Sequence, residues 1–257
     1  MASIHDLAHY ADALLRTDEI QDYPAALNGL QLENRAEVKG IASAVDFSTR
    51  SISGAIEAGA NLLIVHHGMF WNGFEHLRGA SYRRLQLLIA NDVAVYSSHL
   101  PLDLHPTLGN NVLLSRQLDL KPTGTFAKHD GIFIGLSGDS DIETAALAAR
   151  ADKFASAYSG SVRMTLVASD RRTKRWAMCT GAGASTDTIR EAVTMKVDTL
   201  IVGEGPHHTA VQAEENDLVI IYAGHYATET LGVRALGDHL GEKYGVPAHF
   251  INAPTGL

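Results

Sequence analysis

Short, wholly apolar runs of strand length recur along this chain, and helical patterns separate them. Residues 61–65 (NLLIV) and 218–222 (LVIIY) are such runs, as expected for strands buried on both faces. Between them apolar residues recur three and four apart, as at Ile4, Leu7, Ala8, Ala11, Leu14 and Leu15. The spacing predicts strands over residues 38–45, 61–65, 93–97, 132–136, 164–168, 175–179, 199–202, 218–222 and 248–251. Helices are expected over 3–16, 48–58, 82–91, 110–118, 142–153, 187–195, 208–215 and 227–244, with Ser48 or Thr49 capping the second. Alternation of this kind implies an α/β fold, with mixed, mostly parallel sheet covered by helices. At roughly 150 residues per domain, 257 residues make one large domain or two small ones. The polar stretch 121–130 is the expected boundary, giving an N-terminal α/β lobe over 1–125 and a C-terminal one over 126–257.

Composition narrows the function classes. Apolar residues make up 46% of the chain, which excludes wholesale disorder. The net charge of −8 argues against a general nucleic-acid coat. No apolar run approaches the roughly 20 residues that cross a bilayer, so no membrane association is expected. The first ten residues have neither a basic start nor an apolar stretch, so no signal peptide is read there. A single cysteine, Cys179, cannot form an internal disulfide and fits a cytoplasmic location. The unusual count is 13 histidines.

The two halves echo one another. GANLLIVHHG and NDVAVYSSH in the first match KVDTLIVGEGPHH and NDLVIIYAGH in the second. In each half an Asn-Asp-led strand ends in a histidine, His99 or His225, followed four residues on by Asp103 or Glu229. Chance likeness of short apolar strands is one explanation; duplication is the other. Duplication would bring both strand ends to the carboxyl edge, where ligands of open α/β sheets collect.

His66 and His67 follow the strand at 61–65 and precede Gly68. In extended chain they would point to opposite faces, and they converge only if the backbone bends, which Gly68 permits. SSHLPLD places His99 and Asp103 after another strand, in a stretch that Pro101 makes an irregular loop. Taken alone, Asp103 reads equally well as a turn or cap residue. In GHYATE, His225 and Glu229 stand four apart and so share one face of a helical turn beginning near Ala227. The helix dipole alone would account for Glu229, but not for His225.

Mixed imidazole and carboxylate donors suit zinc, iron, manganese or nickel rather than a thiolate structural site. Five or six such ligands exceed one tetrahedral ion and match two divalent ions with open positions. His207 and His208 sit at a helix start, where they cap or line a cleft, with capping the simpler role. TGAGAST at 180–186 lacks the lysine of a phosphate-binding loop and reads as an ordinary tight turn. Cys179 and six further histidines, His5, His9, His76, His129, His239 and His249, are assigned to core or surface.

Taken together and in order, HHGMFW, SSHLPLDLHPTLGNN, TGAGA and GHYATE resemble the family of GTP cyclohydrolase 1 type 2 homologues, also called Ngg-interacting-factor-three-like, dinuclear-metal-binding proteins. The resemblance runs from Asn28 to the last helix; the glycine-rich turn departs from it with Ala182 in place of a third successive glycine. It implies a two-lobed subunit, a metal cleft between lobes, and a homohexamer. It also implies two divalent ions held by His66, His67, Asp103, His225 and Glu229, with His99 close by as a ligand or a catalytic proton carrier. The expected function is metal-dependent hydrolysis of a small purine-like or phosphorylated substrate. The alternative is a non-catalytic metal-binding or protein-interaction scaffold using the same residues. Purely structural ions would instead make chelation unfold the chain.

Overall fold

The computed structural model describes residues 3–256 except Phe74; Met1, Ala2, Phe74 and Leu257 lie outside the described residues. Two compact units emerge: Met1–Leu108 with Gly232–Ala253, and Gly109–Leu231 with Pro254–Leu257. Unit 1 opens with α1 (Ile4–Leu15), β1 (Gly29–Leu32) and β2 (Ile41–Asp46). It continues through α2 (Thr49–Glu57), β3 (Leu62–His67), α3 (Ala80–Ala90), β4 (Ala94–Ser97) and the single turn α4 (Leu100–Asp103). Next come α5 (Asn110–Gln117), β5 (Gly124–His129), β6 (Ile132–Glu143), α6 (Thr144–Ser156) and β7 (Arg163–Met164). β8 (Arg172–Cys179), α7 (Thr186–Thr194), β9 (Thr199–Val202), α8 (His207–Glu215) and β10 (Val219–Tyr222) follow. The chain ends through α9 (His225–Tyr244) and β11 (Ala248–Phe250).

Each unit has one mixed sheet flanked by helices, and the two together are mostly parallel. In unit 1 the order is β1-β4-β3-β2-β11, parallel except at β1. One face packs Ala42, Ala44, Leu63, Val65 and Val95 against Ile52 and Ala55 of α2. Ser48 caps α2 by accepting the Ser51 N–H at 3.1 Å, while Ser51 Oγ accepts the Ser48 N–H at 2.9 Å. In unit 2 the order is β5-β6-β8-β9-β10-β7, with β8, β9 and β10 parallel and the flanks antiparallel. Its strands are covered on both faces: Ala177, Leu200, Val202 and Ile220 pack on one side, Trp176, Met178, Ile201 and Ile221 on the other. This two-sided burial explains the unbroken apolar runs.

Several expectations need correction. The division into units differs from 1–125 and 126–257, because β11 returns to pair with β2 and so makes unit 1 discontinuous in sequence. The polar stretch 121–130 holds β5 of a hairpin, whose two-residue turn is Asp130-Gly131, both with positive φ (44° and 89°). Exposed side chains on this edge strand hid the alternation. Pro101 does not prevent a helical turn at Leu100–Asp103, since proline is tolerated in a first turn, where its missing N–H would have no partner. The expected strand at 164–168 shrinks to Arg163–Met164, and α9 begins at His225 rather than Ala227.

Candidate functional site

Unit 1 gathers its imidazoles at the carboxyl ends of β3 and β4. His66 and His67 are both buried, and their ring centroids are 5.0 Å apart. His66 Nδ1 donates to the Ser98 carbonyl at 2.9 Å, on the β4 side. His67 Nδ1 donates to Asp46 Oδ1 at 2.8 Å, on the β2 side. β3 ends at His67, and the chain turns after Gly68 without a positive φ at that glycine. Gly68 is bare because a Cβ there would lie 2.4 Å from the Gln31 amide and 2.6 Å from Ser97 Oγ.

His99 stands just before α4. Its ring lies 4.7 Å from that of His66, and its Nδ1 donates to Asp22 Oδ1 at 2.9 Å. Asp22 is anchored in turn by the Leu100 N–H and the Asn28 amide, each at 2.8 Å. Burial works against the Asp22 charge, but His99, Asn28 and the Leu100 amide outweigh it and hold the carboxyl below its ordinary range. The potential ligand atoms of His66, His67 and His99 lie within 4.8 Å of one another. Asp103, on α4, places Oδ2 3.5 Å from His66 Nε2. The Trp71 indole packs over the group, 4.5 Å from the His67 ring and 4.7 Å from that of His99.

In unit 2, His225 and Glu229 occupy the first turns of α9. Glu229 is buried, and its Oε2 is 3.1 Å from His225 Nε2, as the four-residue spacing predicts. His225 Nδ1 meets Glu204 Oε1 at 2.8 Å. Burial disfavours charge on this ring, but Glu229 and Glu204 together outweigh it and raise its pKa to about 9. Gly181 lies against the pair with φ +63°, and a Cβ there would come 2.1 Å from Glu229 Oε1.

The glycine-rich turn is a packing turn, as the simpler reading had it. The Thr180 N–H goes to Asn111 Oδ1, that of Gly181 to Thr228 Oγ1, and that of Ala184 to the Glu204 carbonyl. Cys179 is buried in the core. His207 does not cap α8: the N-cap is Pro206, without a side-chain cap bond, and the His207 ring is exposed.

The residues fit a transition metal. Carbonyl and carboxylate oxygens can only accept, so each of the four rings carries a proton on Nδ1, and Nε2 is the nitrogen each would present to a cation, which at His225 would displace the proton shared with Glu229. Metal-binding histidines are oriented in this way, by an oxygen on the ring nitrogen away from the ion. The residues that do the orienting, Asp22, Asp46, Glu204 and the Ser98 carbonyl, were not singled out from sequence. Asp46 ends β2 beside the histidine-bearing β3, and Glu204 follows β9, beside the strand that leads into His225, a signal available in principle; Asp22 sits in a loop with no such signal.

A two-unit α/β protein carrying oriented histidine and carboxylate donors in each unit is the class this fold and these side chains define. The sequence profile of the family Duf34/NIF3 (NGG1p interacting factor 3) matches residues 2–255, and the chain belongs to that family. It is similar to a protein of Pyrococcus abyssi named GTP cyclohydrolase 1 type 2 homolog, 41% identical over 242 residues, 93% of this chain and 94% of that one. A Pseudomonas aeruginosa protein of the same name is 37% identical over 98% of each chain. Among solved structures, one described as protein ybgI of unknown function aligns with TM-score 0.88 and 32% identity, covering 99% of this chain and all of its own. TTHA1606 from Thermus thermophilus aligns with TM-score 0.79 and 31% identity over the same shares.

Proposed function

We propose that this protein is a metal-dependent hydrolase with a dinuclear centre, acting on a small purine-like or phosphorylated substrate. His66, His67 and Asp103 from unit 1, with His225 and Glu229 from unit 2, are the proposed ligands of two divalent cations. One observation carries the reading: His66, His67 and His225 each have Nδ1 held by an oxygen, the orientation in which metal-binding histidines present Nε2 to an ion. Names borne by relatives, GTP cyclohydrolase 1 type 2 homolog among them, support the same direction.

Bound cations of this kind supply Lewis acidity, making water more acidic and stabilising negative charge on oxygen. The chain's own residues do the rest. Asp46 and Glu204 fix the ring planes of His67 and His225. His99 is the proposed proton carrier: Asp22, ionised and bound to Nδ1, stabilises the ring whenever Nε2 takes up a proton. Trp71 keeps water from one side of His67 and His99.

Protein purified without chelator should contain up to two transition ions per chain, and His67→Ala should lower that number. A chain that stays metal-free at saturating zinc, manganese and iron overturns the proposal. His99→Gln should keep the metal yet lose hydrolysis across a panel of esters and amidines. Metal-loaded enzyme that leaves GTP intact while turning over another substrate removes GTP from consideration.

A further inference from the structure

The segment that follows β9 lines a cavity of about 480 Å³ in unit 2. Its walls include Glu204 and His207 after β9, Tyr222 and Gly224 at the end of β10, and Ser161 and Arg163 at β7. That volume falls within the roughly 300–1,000 Å³ typical of small-molecule sites. Arg163 and Tyr222 are direct partners in the antiparallel β7–β10 ladder, so their side chains rise from the same face of the sheet. The Tyr222 hydroxyl lies 3.2 Å from Thr209 Oγ1 of α8, which holds the ring in place.

Arg163 lacks the acid partner that most arginines of its unit have, and unlike Arg116, which also has none among the described residues, it lines the cavity. Arg150, Arg171, Arg172, Arg175 and Arg190 of the same unit each have a carboxylate oxygen within 3.5 Å. Arg163 has none among the described residues; its guanidinium makes one hydrogen bond, at 3.5 Å, to the adjacent Val162 carbonyl. The cavity's one acid among its described lining residues is Glu204, and its Oε1 is engaged by His225 Nδ1. In a chain of net charge −8, a guanidinium without an acid partner beside a cavity favours an anion from solution.

We propose that this cavity binds a phosphate monoester, with Arg163 paired to the phosphate. A guanidinium fork matches two phosphate oxygens at once, which no other side chain does as well. His207 and Ser161 supply further hydrogen bonds, and Tyr222 flanks the organic group. Glu204 is both a wall of this cavity and the partner of the His225 ring, so the bound ester lies beside the unit 2 donor pair. The link to catalysis rests on the metal reading given above; phosphate binding itself does not.

Calorimetric titration of the full chain, stripped of metal with chelator, tests the assignment with phenyl phosphate, inorganic phosphate and benzoate as probes. Wild type should bind phenyl phosphate, more weakly as salt is added. Arg163→Met should weaken binding roughly 10- to 100-fold, and Arg163→Lys should retain part of it. His207→Gln should cost several-fold, a second readout that leaves β7 untouched. His67→Ala should bind phenyl phosphate like wild type while taking up less metal, so the cavity and the metal centre succeed or fail separately. No binding by wild type at millimolar probe overturns the proposal, as does Arg163→Met binding as tightly as wild type. Benzoate held as well as phenyl phosphate overturns the assignment to phosphate.

Discussion

In unit 1 the parallel strands β2, β3 and β4 are joined by α2 and α3; in unit 2, β8, β9 and β10 are joined by α7 and α8 in the same order. An antiparallel edge strand lies beyond each third strand, β1 on β4 and β7 on β10. The registers equate Ile41, Leu62 and Ala94 with Trp176, Thr199 and Val219. Anchoring contacts agree. Asn61 Oδ1 accepts the Lys39 N–H at 2.9 Å, and the equivalent Asp198 accepts that of Lys174 at the same distance. Asp92 and Asp217, before the third strands, both have positive φ. Ser48 and Ser185 both close capping boxes. These shared details support the duplication suggested by the sequence echo.

The units diverge at the donors. Counted in register, His67 corresponds to Glu204, Asp46 to Gly181, and His99 to Gly224. His225 therefore lies one residue beyond the place of His99, and Glu229 one beyond that of Asp103. In unit 1 a carboxylate ending β2 orients an imidazole ending β3. In unit 2 the carboxylate has moved to the β3-like position and orients an imidazole at the start of α9, beyond the next strand. The β2-like position is left bare because Glu229 fills its space. One scaffold thus yields two unlike donor sets, and matching His-x-x-x-acid spacing conceals a one-residue slip.

The sharpest test of this contrast exchanges nothing but a methyl group. Gly181→Ala puts a Cβ 2.1 Å from Glu229 Oε1 at φ +63°. It should lower stability by more than about 2 kcal/mol in denaturant unfolding and abolish metal uptake by the His225–Glu229 pair. Asp46→Ala at the equivalent position should leave the unfolding midpoint nearly unchanged. Wild-type metal content in Gly181→Ala breaks the comparison.

A second difference is electrostatic. In the metal-free chain His225 has a pKa of about 9, above the unfolded value near 6.5. A raised pKa stabilises fully below the unfolded value, and the contribution is lost as pH rises through the folded one. Metal-free wild type should therefore lose about 1–3 kcal/mol between pH 6.5 and 9 relative to His225→Phe, read from denaturant midpoints in chelator. Parallel stability curves for the two proteins would refute this.

Asp46→Asn and Glu204→Gln probe the orienting carboxylates. Each should weaken metal binding by about 10- to 100-fold while leaving the ligands in place, measured by competition with a chromogenic chelator. Unchanged affinity in both would remove the orienting role. The smallest effects belong to the caps, where the units agree. Ser48→Ala and Ser185→Ala should each cost about 1 kcal/mol in unfolding free energy, and unequal losses would show that the two helices do not support their units alike.

Much of the fold was legible because two-sided burial forces unbroken apolar strands at residues 61–65, 199–202 and 218–222, and periodic stripes on the helices between. β5 escaped because an exposed edge strand need not alternate, although its Asp-Gly turn stood in plain sequence. The tandem histidines and the Gly-His-Tyr segment stood out because two adjacent imidazoles, or one paired with an acid four residues on, are harder to explain by packing than a lone histidine. Asp22 did not: its partner His99 is 77 residues away, and nothing local distinguishes it from a surface acid.

Sequence alone determined the alternation of elements, the donor residue types and the i, i+4 pairing of His225 with Glu229, since each depends on periodicities of 2 or 3.6 residues. Tertiary structure decided which carboxylate orients which imidazole, why Gly181 and Gly68 carry no side chain, and that β11 closes the sheet begun by β2. Those outcomes turn on strand order and on contacts a few ångströms long between residues far apart in the chain, and no local pattern encodes either.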